Sequence, residues 1–340
     1  MKWTKVVIAL GMVGIVLLAY QYKTNNLAHN KPTITMAVSK TPLSAPIYIA
    51  ESLGFFKQSC VNVVIDDVIG GKNSFDQVML GNADFGTSSN SVIVFQSMYH
   101  SDFVTLANFA QSDNDVKLIT HLNMQANQNI NADIKTNTDA ISMLGKRIGV
   151  TSGSAGEYLL STYLALIGLT IHDVEVLSYS PEKLPQALLN KDVDMIVAWE
   201  PYAYDTLQML KNDVKVINTK NLNTLMFNLI SHPIDSDAKL EQATCVLDAL
   251  NNAINYIATN PESSRQIIAT RLKEDPQFID WVWTDYIFKL SLNRSLLMNL
   301  KSQGIWMIDS ELVEVNNLPD YKMLLDERAL KTVNPMAVRL

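Results

Sequence analysis

The sequence predicts an α/β protein with two lobes, each built on an open and mostly parallel sheet. Short apolar runs alternate with helical segments from Pro32 onward, a spacing that is typical of βαβ units. The order of elements then repeats, and the related stretches "DQVMLGNADFG" and "PQALLNKDVDMI" indicate two copies of one unit. We expect the chain to cross between the lobes twice, near 118–124 and 219–226.

The first unit begins with an apolar strand at 33–38, and Pro46 starts the helix that follows it. Residues 103–122 are predicted to be two extended segments that leave this unit. The other elements of the unit are strands at 61–65 and 83–86 and helices at 74–80 and 90–99.

The second unit begins with a strand at 147–150, followed by a helix with one apolar face that ends at Gly168. Ser180 and Pro181 start its next helix. Further strands are predicted at 174–177, 193–199 and 224–232, with helix starts at Asn260 and Asp275. We therefore expect lobe I to contain 32–118 and 224–340, including the C-terminal helices, and lobe II to contain 119–223.

The N-terminus carries a predicted export signal. Lys2 and Lys5 precede an apolar run from Val6 to Ala19, which is shorter than the roughly 20 residues of a spanning helix. We expect residues 1–31 to be a signal peptide, or an uncleaved anchor, plus a linker. The net charge of −7, with no dense basic stripe, disfavours nucleic-acid binding.

Cys60 and Cys245 are the only cysteines in the chain. Two cysteines in an exported protein can form a disulfide, but their spacing gives no indication of pairing. Cys245 lies on an apolar helical face with Leu247, Leu250 and Ile254. We therefore expect both to be small hydrophobic side chains of the core rather than a disulfide.

Small hydroxyl residues follow predicted strands in both lobes. The segments are "SKTPLSAP" (39–46), "GTSSNS" (86–91) and "TSGSAG" (151–156). A fourth segment at a predicted strand end is "WEPYAYD" (199–205). The carboxyl ends of parallel strands are where open sheets bind ligands, and clefts between lobes are favoured pockets. The sequence therefore predicts a ligand site in a cleft shared by the lobes.

The chemistry at 151–156 is that of an anion site rather than of a catalyst. No phosphate loop, dinucleotide fingerprint or nucleophile elbow is present, and the five histidines have no metal-binding spacing. A helix N-terminus with small hydroxyls binds oxyanions without Arg or Lys. The alternative is that Ser152 or Ser154 only caps its helix. Gly153 and Gly156 favour ligand binding, because they allow close approach.

The motif "AWEPY" suggests a second contact with the ligand. Trp199 offers a ring for stacking and Glu200 offers a negative charge. Trp199 as a core residue, and Glu200 as a complement to the next helix dipole, are the alternatives. We expect Glu200 to accept an amine or ring N–H of a zwitterionic or heterocyclic ligand. In a site for a plain anion, Glu200 would instead face solvent or pair with Lys or Arg.

Several motifs, taken in order, resemble one protein family. They are "APIYIAESLGFF", "GNADFGTSS", "LGKRIGVTSGSAGEYLLSTYLALIGL", "VDMIVAWEPY" and "NAINYIATNPESSRQIIATRL". Together they resemble the alkanesulfonate, taurine, nitrate and thiamine-pyrimidine (NMT1-like) solute-binding proteins of ABC importers. The resemblance extends from about Pro32 to the C-terminal helices.

This resemblance implies a two-lobed periplasmic-binding-protein fold of type II that closes on a small solute and delivers it to a membrane permease. It implies a periplasmic monomer with no cofactor, metal or catalytic residue. A membrane-anchored sensor of the same fold is the alternative function, followed by an enzyme. The residues implied to line the cleft are Thr41, Pro42, Ser44, Thr87, Ser88, Ser89, Ser152, Ser154, Ala155, Gly156, Trp199, Glu200 and Tyr202.

Overall fold

The computed structural model describes residues 31–122, 142–315 and 317–340, and in them two separate sheets carry the helices. The predicted signal peptide or anchor lies almost entirely outside the described residues. Within the described ranges, we find no helix whose length and apolar character would let it cross a membrane.

The first sheet has seven strands in the order β12-β11-β4-β10-β3-β1-β2. Its N-terminal strands β1, β2 and β3 are parallel to one another, and β10 and β4 continue the sheet in antiparallel pairing. The strand bounds are β1 Thr33–Ser39, β2 Asn62–Val68, β3 Phe85–Ser89, β4 Val104–Ser112, β10 Leu225–Ser231, β11 Tyr286–Asn293 and β12 Val338–Arg339.

The second sheet has five strands in the order β7-β6-β8-β5-β9. Strands β6, β7 and β8 are parallel, whereas β5 pairs antiparallel with both β8 and β9. The strand bounds are β5 Val116–His121, β6 Arg147–Val150, β7 Glu175–Ser178, β8 Met195–Trp199 and β9 Val214–Ile217.

Helices follow most strands and pack their apolar faces on the sheets. Side-chain caps mark several starts: Ser89 accepts from Val92 N, Ser154 from Gly156 N and Ser236 from Lys239 N. The helices are α1 Ala45–Ser52, α2 Phe55–Gln58, α3 Gly70–Met79, α4 Asn90–Ser97, α5 Ala155–Leu166, α6 Leu184–Leu189, α7 Tyr202–Leu210, α8 Asp237–Thr259, α9 Pro261–Leu272, α10 Pro276–Trp283, α11 Arg294–Asp309 and α12 Arg328–Val333.

The predicted α/β class with two sheets is confirmed, but two details of the prediction are wrong. Both sheets are mixed rather than mostly parallel, because the strands next to the crossings run antiparallel to their neighbours. The first crossing lies between Ser112 and Val116, earlier than the predicted 118–124, so β5 belongs wholly to the second sheet. The second crossing spans 218–224, close to the prediction.

The expectation for the cysteines is also wrong, because Cys60 and Cys245 form a disulfide. Cys60 lies just before β2, Cys245 lies in α8, and their Cα atoms are 5.8 Å apart. Helix α8 packs against α1 and α2 of the first sheet, so the bond fastens a C-terminal helix to the N-terminal part of that sheet. The 185-residue separation left no local signal of this pairing.

Candidate functional site

A cavity of about 470 Å³ lies between the two sheets. Its walls come from the chain that follows β1, β2 and β3 of the first sheet and from the chain that follows β6 and β8 of the second. These are the carboxyl ends of the parallel strands, where the sequence predicts a ligand site.

The segment after β1 contributes only part of the predicted contact set. Thr41 lines the cavity, together with Ser39 and Leu43. Pro42 and Ser44 do not line it, and both are buried behind the wall. The Ser44 hydroxyl donates to Ser39 O over 2.7 Å, so its role is to hold the turn that follows the strand.

The segment after β3 is placed differently from the expectation. The strand extends to Ser89, which caps α4 and lines the cavity. Thr87 and Ser88 lie inside the strand and are buried away from the cavity. Thr87 Oγ1 accepts from Ser39 N over 2.8 Å, and the Ser88 hydroxyl donates to Gly71 O, so these hydroxyls join neighbouring segments.

Residues 69–73 at the start of α3 line the cavity and were missed by the sequence analysis. Gly71 approaches the end of β3 closely: a Cβ there would lie 3.2 Å from Ser88 Cα and from Ser89 N. A side chain here would press against the backbone of β3, so glycine suits this close approach. The pair Gly70-Gly71 directly after a strand was the signal in the sequence that could have identified the segment.

The chain from Thr151 to Ala155 forms the facing wall of the cavity. Ser154 Oγ donates to Thr151 O over 2.6 Å and accepts from Gly156 N. The Ser154 hydroxyl therefore caps α5, which is the alternative given above. Gly153, with a φ of +68°, donates its N–H to Glu157 Oε2. Among the described residues, the N–H of Ala155 has no acceptor, so an oxyanion could bind there.

Gly156 does not line the cavity. A Cβ at this position would lie 3.4 Å from side-chain atoms of Val150 and Val197, so the position faces the contact between α5 and its sheet. Ser152 lines the cavity and donates to Ser178 Oγ over 2.9 Å. Of the four residues predicted in this segment, Ser152, Ser154 and Ala155 are brought to the cavity.

All three residues predicted in the "WEPY" motif line the cavity. Trp199 and Tyr202 face each other edge to face, with ring centroids 6.2 Å apart. Glu200 is only 1% exposed, and its two oxygens already accept hydrogen bonds. Oε1 lies 2.7 Å from Lys117 Nζ, and Oε2 accepts from Tyr204 N over 3.0 Å.

The Glu200–Lys117 pair is the arrangement expected for a site that binds a plain anion, not the free amine acceptor that we expected of Glu200. Lys117 lies in β5 of the second sheet and also donates to Asn114 O. Burial is the largest influence on Glu200 and raises the pKa of its carboxyl to about 8, although Lys117 opposes the rise.

Asp115 is a second buried carboxylate in the cavity wall, and the sequence analysis did not identify it. It lies in the first crossing, and its Oδ1 accepts from the Tyr286 hydroxyl over 2.6 Å. Burial raises the pKa of Asp115 to about 6, against the opposing effects of Tyr286 and Lys117. No local pattern marks Asp115, because its environment is formed by a strand 171 residues away.

The remaining charged residues at the cavity are less buried than Glu200 and Asp115. Lys40, Lys72 and Glu274 line it, and Lys72 pairs with Asp76 over 2.7 Å. Within the described ranges, no cluster of three or more His, Cys, Asp or Glu side chains could hold a metal ion. The arrangement offers helix N-termini for an anion and buried carboxylates at the floor.

The comparisons with known proteins agree with this architecture. The model of the "NMT1/THI5 like" family matches residues 41–264. Putative binding proteins of Brucella abortus and Brucella suis are 25% identical over 134 residues, which is 38% of this chain. The match spans 42% of the length of those curated relatives.

Solved structures with the same fold extend over most of the chain. The aliphatic sulphonate binding protein SsuA of Escherichia coli has a TM-score of 0.71 at 16% identity, covering 87% of this chain and 92% of that one. SsuA of Xanthomonas axonopodis, bound to MOPS, has a TM-score of 0.70 at 16% identity, with coverages of 87% and 98%.

A Candida albicans gene product, described as having the generic periplasmic binding protein fold, has a TM-score of 0.62 at 16% identity, with coverages of 91% and 96%. The fold implied by the sequence resemblance is therefore confirmed.

Proposed function

The chain belongs to the NMT1/THI5-like family, and we propose that it is the extracytoplasmic solute-binding component of an ABC importer. On this proposal it captures a small solute in the cavity between its sheets and delivers it to a membrane permease. The disulfide Cys60–Cys245 supports a periplasmic location, because such bonds persist in oxidising compartments.

One observation carries the proposal: three helices begin at the same cavity. The first turns of α3, α4 and α5, represented by Gly71, Val92 and Ala155, all contribute to its lining. Helix N-termini carry partial positive charge and unpaired N–H groups, which favour an oxyanion. We therefore propose a solute with an oxyanion group, and the sulphonate-binding proteins of the same fold support sulfonates as the first class to test.

We further propose that the two lobes close on the solute by hinge motion. Two chain crossings, at 113–115 and 218–224, join the sheets. Away from these crossings, Trp306 of α11 donates its indole N–H to Ser161 Oγ of α5 over 2.7 Å. The rings of Phe95 and Tyr158 contact Trp306 edge to face from either lobe. Closure would enlarge such contacts between the lobes.

A ligand screen tests the proposal directly. Thermal unfolding would be followed with ethanesulfonate, 2-aminoethanesulfonate, nitrate and a pyrimidine, with sodium chloride as the control for ionic strength. A solute that binds the native state raises the unfolding temperature in proportion to ln(1 + [L]/Kd). Solution scattering with that solute should show a smaller radius of gyration. A screen without any stabilising oxyanion would contradict the proposed solute class, and an unchanged radius would contradict closure.

We propose that the protein acts by binding and not by catalysis. The curated relatives are described as putative binding proteins. In the described part of the chain, the Ser152 and Ser154 hydroxyls at the cavity donate to Ser178 Oγ and Thr151 O rather than to a general base. Incubation of the protein with the solute found by the screen should leave the solute chemically unchanged. Turnover at a rate proportional to protein concentration would show an enzyme instead.

A further inference from the structure

Asp115 lies at the floor of the cavity with one carboxylate oxygen available to a ligand. The side chain is 2% exposed, and Oδ1 accepts from the Tyr286 hydroxyl. Among the described residues, that hydroxyl is the one hydrogen-bond partner of the carboxylate. Val116, Leu225 and Phe227 add apolar surface to the cavity lining. Asp115 itself is buried, and burial strengthens its interaction with a charge in the cavity.

The neighbouring ammonium does not face this space. Lys117 Nζ contacts Glu200 Oε1, donates to Asn114 O and lies 4.5 Å from the centre of the Trp281 ring. Lys117 itself does not line the cavity. Its charge is therefore directed at Glu200 and into the protein behind the floor.

The charges at the floor do not balance when both carboxyls are ionised. Asp115 and Glu200 supply two negative charges, and Lys117 supplies one positive charge. Asp285, the next carboxylate, has its own partner in Lys220 at 2.8 Å. An unmatched buried charge is costly, so the floor favours the gain of a proton or of a cationic group from the cavity side.

We propose that Asp115 is a specificity-determining residue that selects solutes with an ammonium or other charged N–H group in addition to their oxyanion. This inference rests on the proposed function. The N–H group donates to the Asp115 oxygen that Tyr286 leaves open, while the oxyanion lies at the first turns of the helices. Glu200 is less suited to this role, because both of its oxygens already accept hydrogen bonds, from Lys117 Nζ and from Tyr204 N.

Calorimetric titration with two matched probes tests the inference. Ethanesulfonate and 2-aminoethanesulfonate differ by one amine, and we expect the wild type to bind the aminated probe at least tenfold more tightly. A charge-assisted hydrogen bond supports a preference of about ten- to a hundredfold. In Asp115→Asn the preference should fall to threefold or less. Ethanesulfonate should bind the variant as well as, or better than, the wild type, because a negative charge has been removed.

Asp113→Asn is the matched control. Asp113 lies in the same crossing, does not line the cavity, and the substitution makes the same change of carboxylate to amide. The control should keep the wild-type preference. Equal binding of the two probes by the wild type, or an unchanged preference in Asp115→Asn, overturns the inference and leaves the proposed function intact. If neither probe binds and no oxyanion in the screen binds, the proposed solute class fails and the inference fails with it.

A pH titration of the wild type gives a test that needs no variant. Asp115 accepts a hydrogen bond from Tyr286 of β11, and Lys117, Asp285 and Glu200 are the charged groups that interact with it electrostatically. Of these, Lys117 and Tyr286 favour the ionised form of Asp115, and Asp285 opposes it. The preference for 2-aminoethanesulfonate should fall as the pH decreases below about 6, where Asp115 takes up a proton. A preference that is constant from pH 8 to pH 5 overturns the inference.

Discussion

The ammonium of Lys117 lies 2.7 Å from Oε1 of Glu200, and both side chains are almost completely buried. The pair joins the start of β5 to the residue that follows β8, next to the first crossing. Trp281 of α10 covers the ammonium from the side of the first sheet. One ion pair therefore touches the second sheet, the crossing and a helix of the first sheet.

We predict that Lys117→Met destabilises the protein by about 3–5 kcal/mol at pH 8, because the substitution leaves buried carboxyls without their cation. The effect should be smaller at pH 5. The pKa of Glu200 is already raised to about 8, and loss of Lys117 raises it further. Between the unfolded and folded pKa values the native state binds more protons, so stability decreases as pH increases. Urea unfolding at both pH values measures the difference.

Lys239→Met is the control for this prediction. Lys239 forms an exposed pair with Asp235, and such pairs contribute about 0–1 kcal/mol. Equal losses of stability in the two variants would contradict the prediction that the buried Lys117–Glu200 pair stabilises the fold. A loss in Lys117→Met that does not depend on pH would contradict it as well.

We predict that Ser154→Asp weakens the binding of ethanesulfonate by at least tenfold, with only a modest loss of stability, which comes from the lost hydrogen bond to Thr151 O. Asp caps helices about as well as Ser and suits the positive end of the dipole. A carboxylate next to the Ala155 N–H would repel the sulfonate in a cavity with little solvent. Calorimetric titration and thermal unfolding measure the two effects separately.

Ser236→Asp makes the same change at the cap of α8 and does not line the cavity. It should leave both measurements near their wild-type values. Full affinity in Ser154→Asp would mean that the α5 start has only a capping role.

We predict that Trp306→Phe lowers ligand affinity by several-fold, because it removes the hydrogen bond to Ser161 between the lobes. Ser161→Ala should give the same loss, and the double variant should lose no more than either single variant. Solution scattering of the ligand-free variants should show a larger radius of gyration. Additive losses in the double variant would show that the two side chains act independently.

We predict that Cys60→Ser with Cys245→Ser lowers the free energy of unfolding by about 2–5 kcal/mol, the usual effect of removing a native disulfide. The ligand affinity of this double variant should remain close to that of the wild type, because neither cysteine lines the cavity. Denaturant unfolding of the wild type and of the double variant, each with and without reducing agent, measures the contribution of the disulfide to stability. A wild type whose stability is insensitive to reduction would contradict the prediction.

Local patterns predicted the elements of this fold well. The strand β6, the capped helix after it and the "AWEP" strand end lie where the periodicity placed them. The sheet direction was less accessible, since β4 and β5 pair with strands that come much later in the chain. Elements were predicted better than strand directions because periodicity depends on residues that are close in sequence. It gives no information about which distant strand will pair with a given strand in the sheet.

Site residues were likewise predictable only where residues close in sequence determine their position. Ser89, Ser154 and Trp199 lie at or just after strand ends and were predicted to reach the cavity, and they do. Thr87 has the same local character, but the strand ends at Ser89, three residues later than predicted, and Thr87 is buried inside it. Asp115 gave no signal because only the fold brings Tyr286 to it.

The disulfide also has a topological consequence for the second sheet. All of its strands, from Val116 to Ile217, lie inside the loop of chain that Cys60 and Cys245 close. A protease that cuts the backbone once anywhere in that loop would therefore release no free fragment until the bond is reduced. The N- and C-terminal parts of the first sheet have a covalent connection that bypasses the second sheet, so a nicked molecule keeps all the strands of both sheets in one covalent assembly.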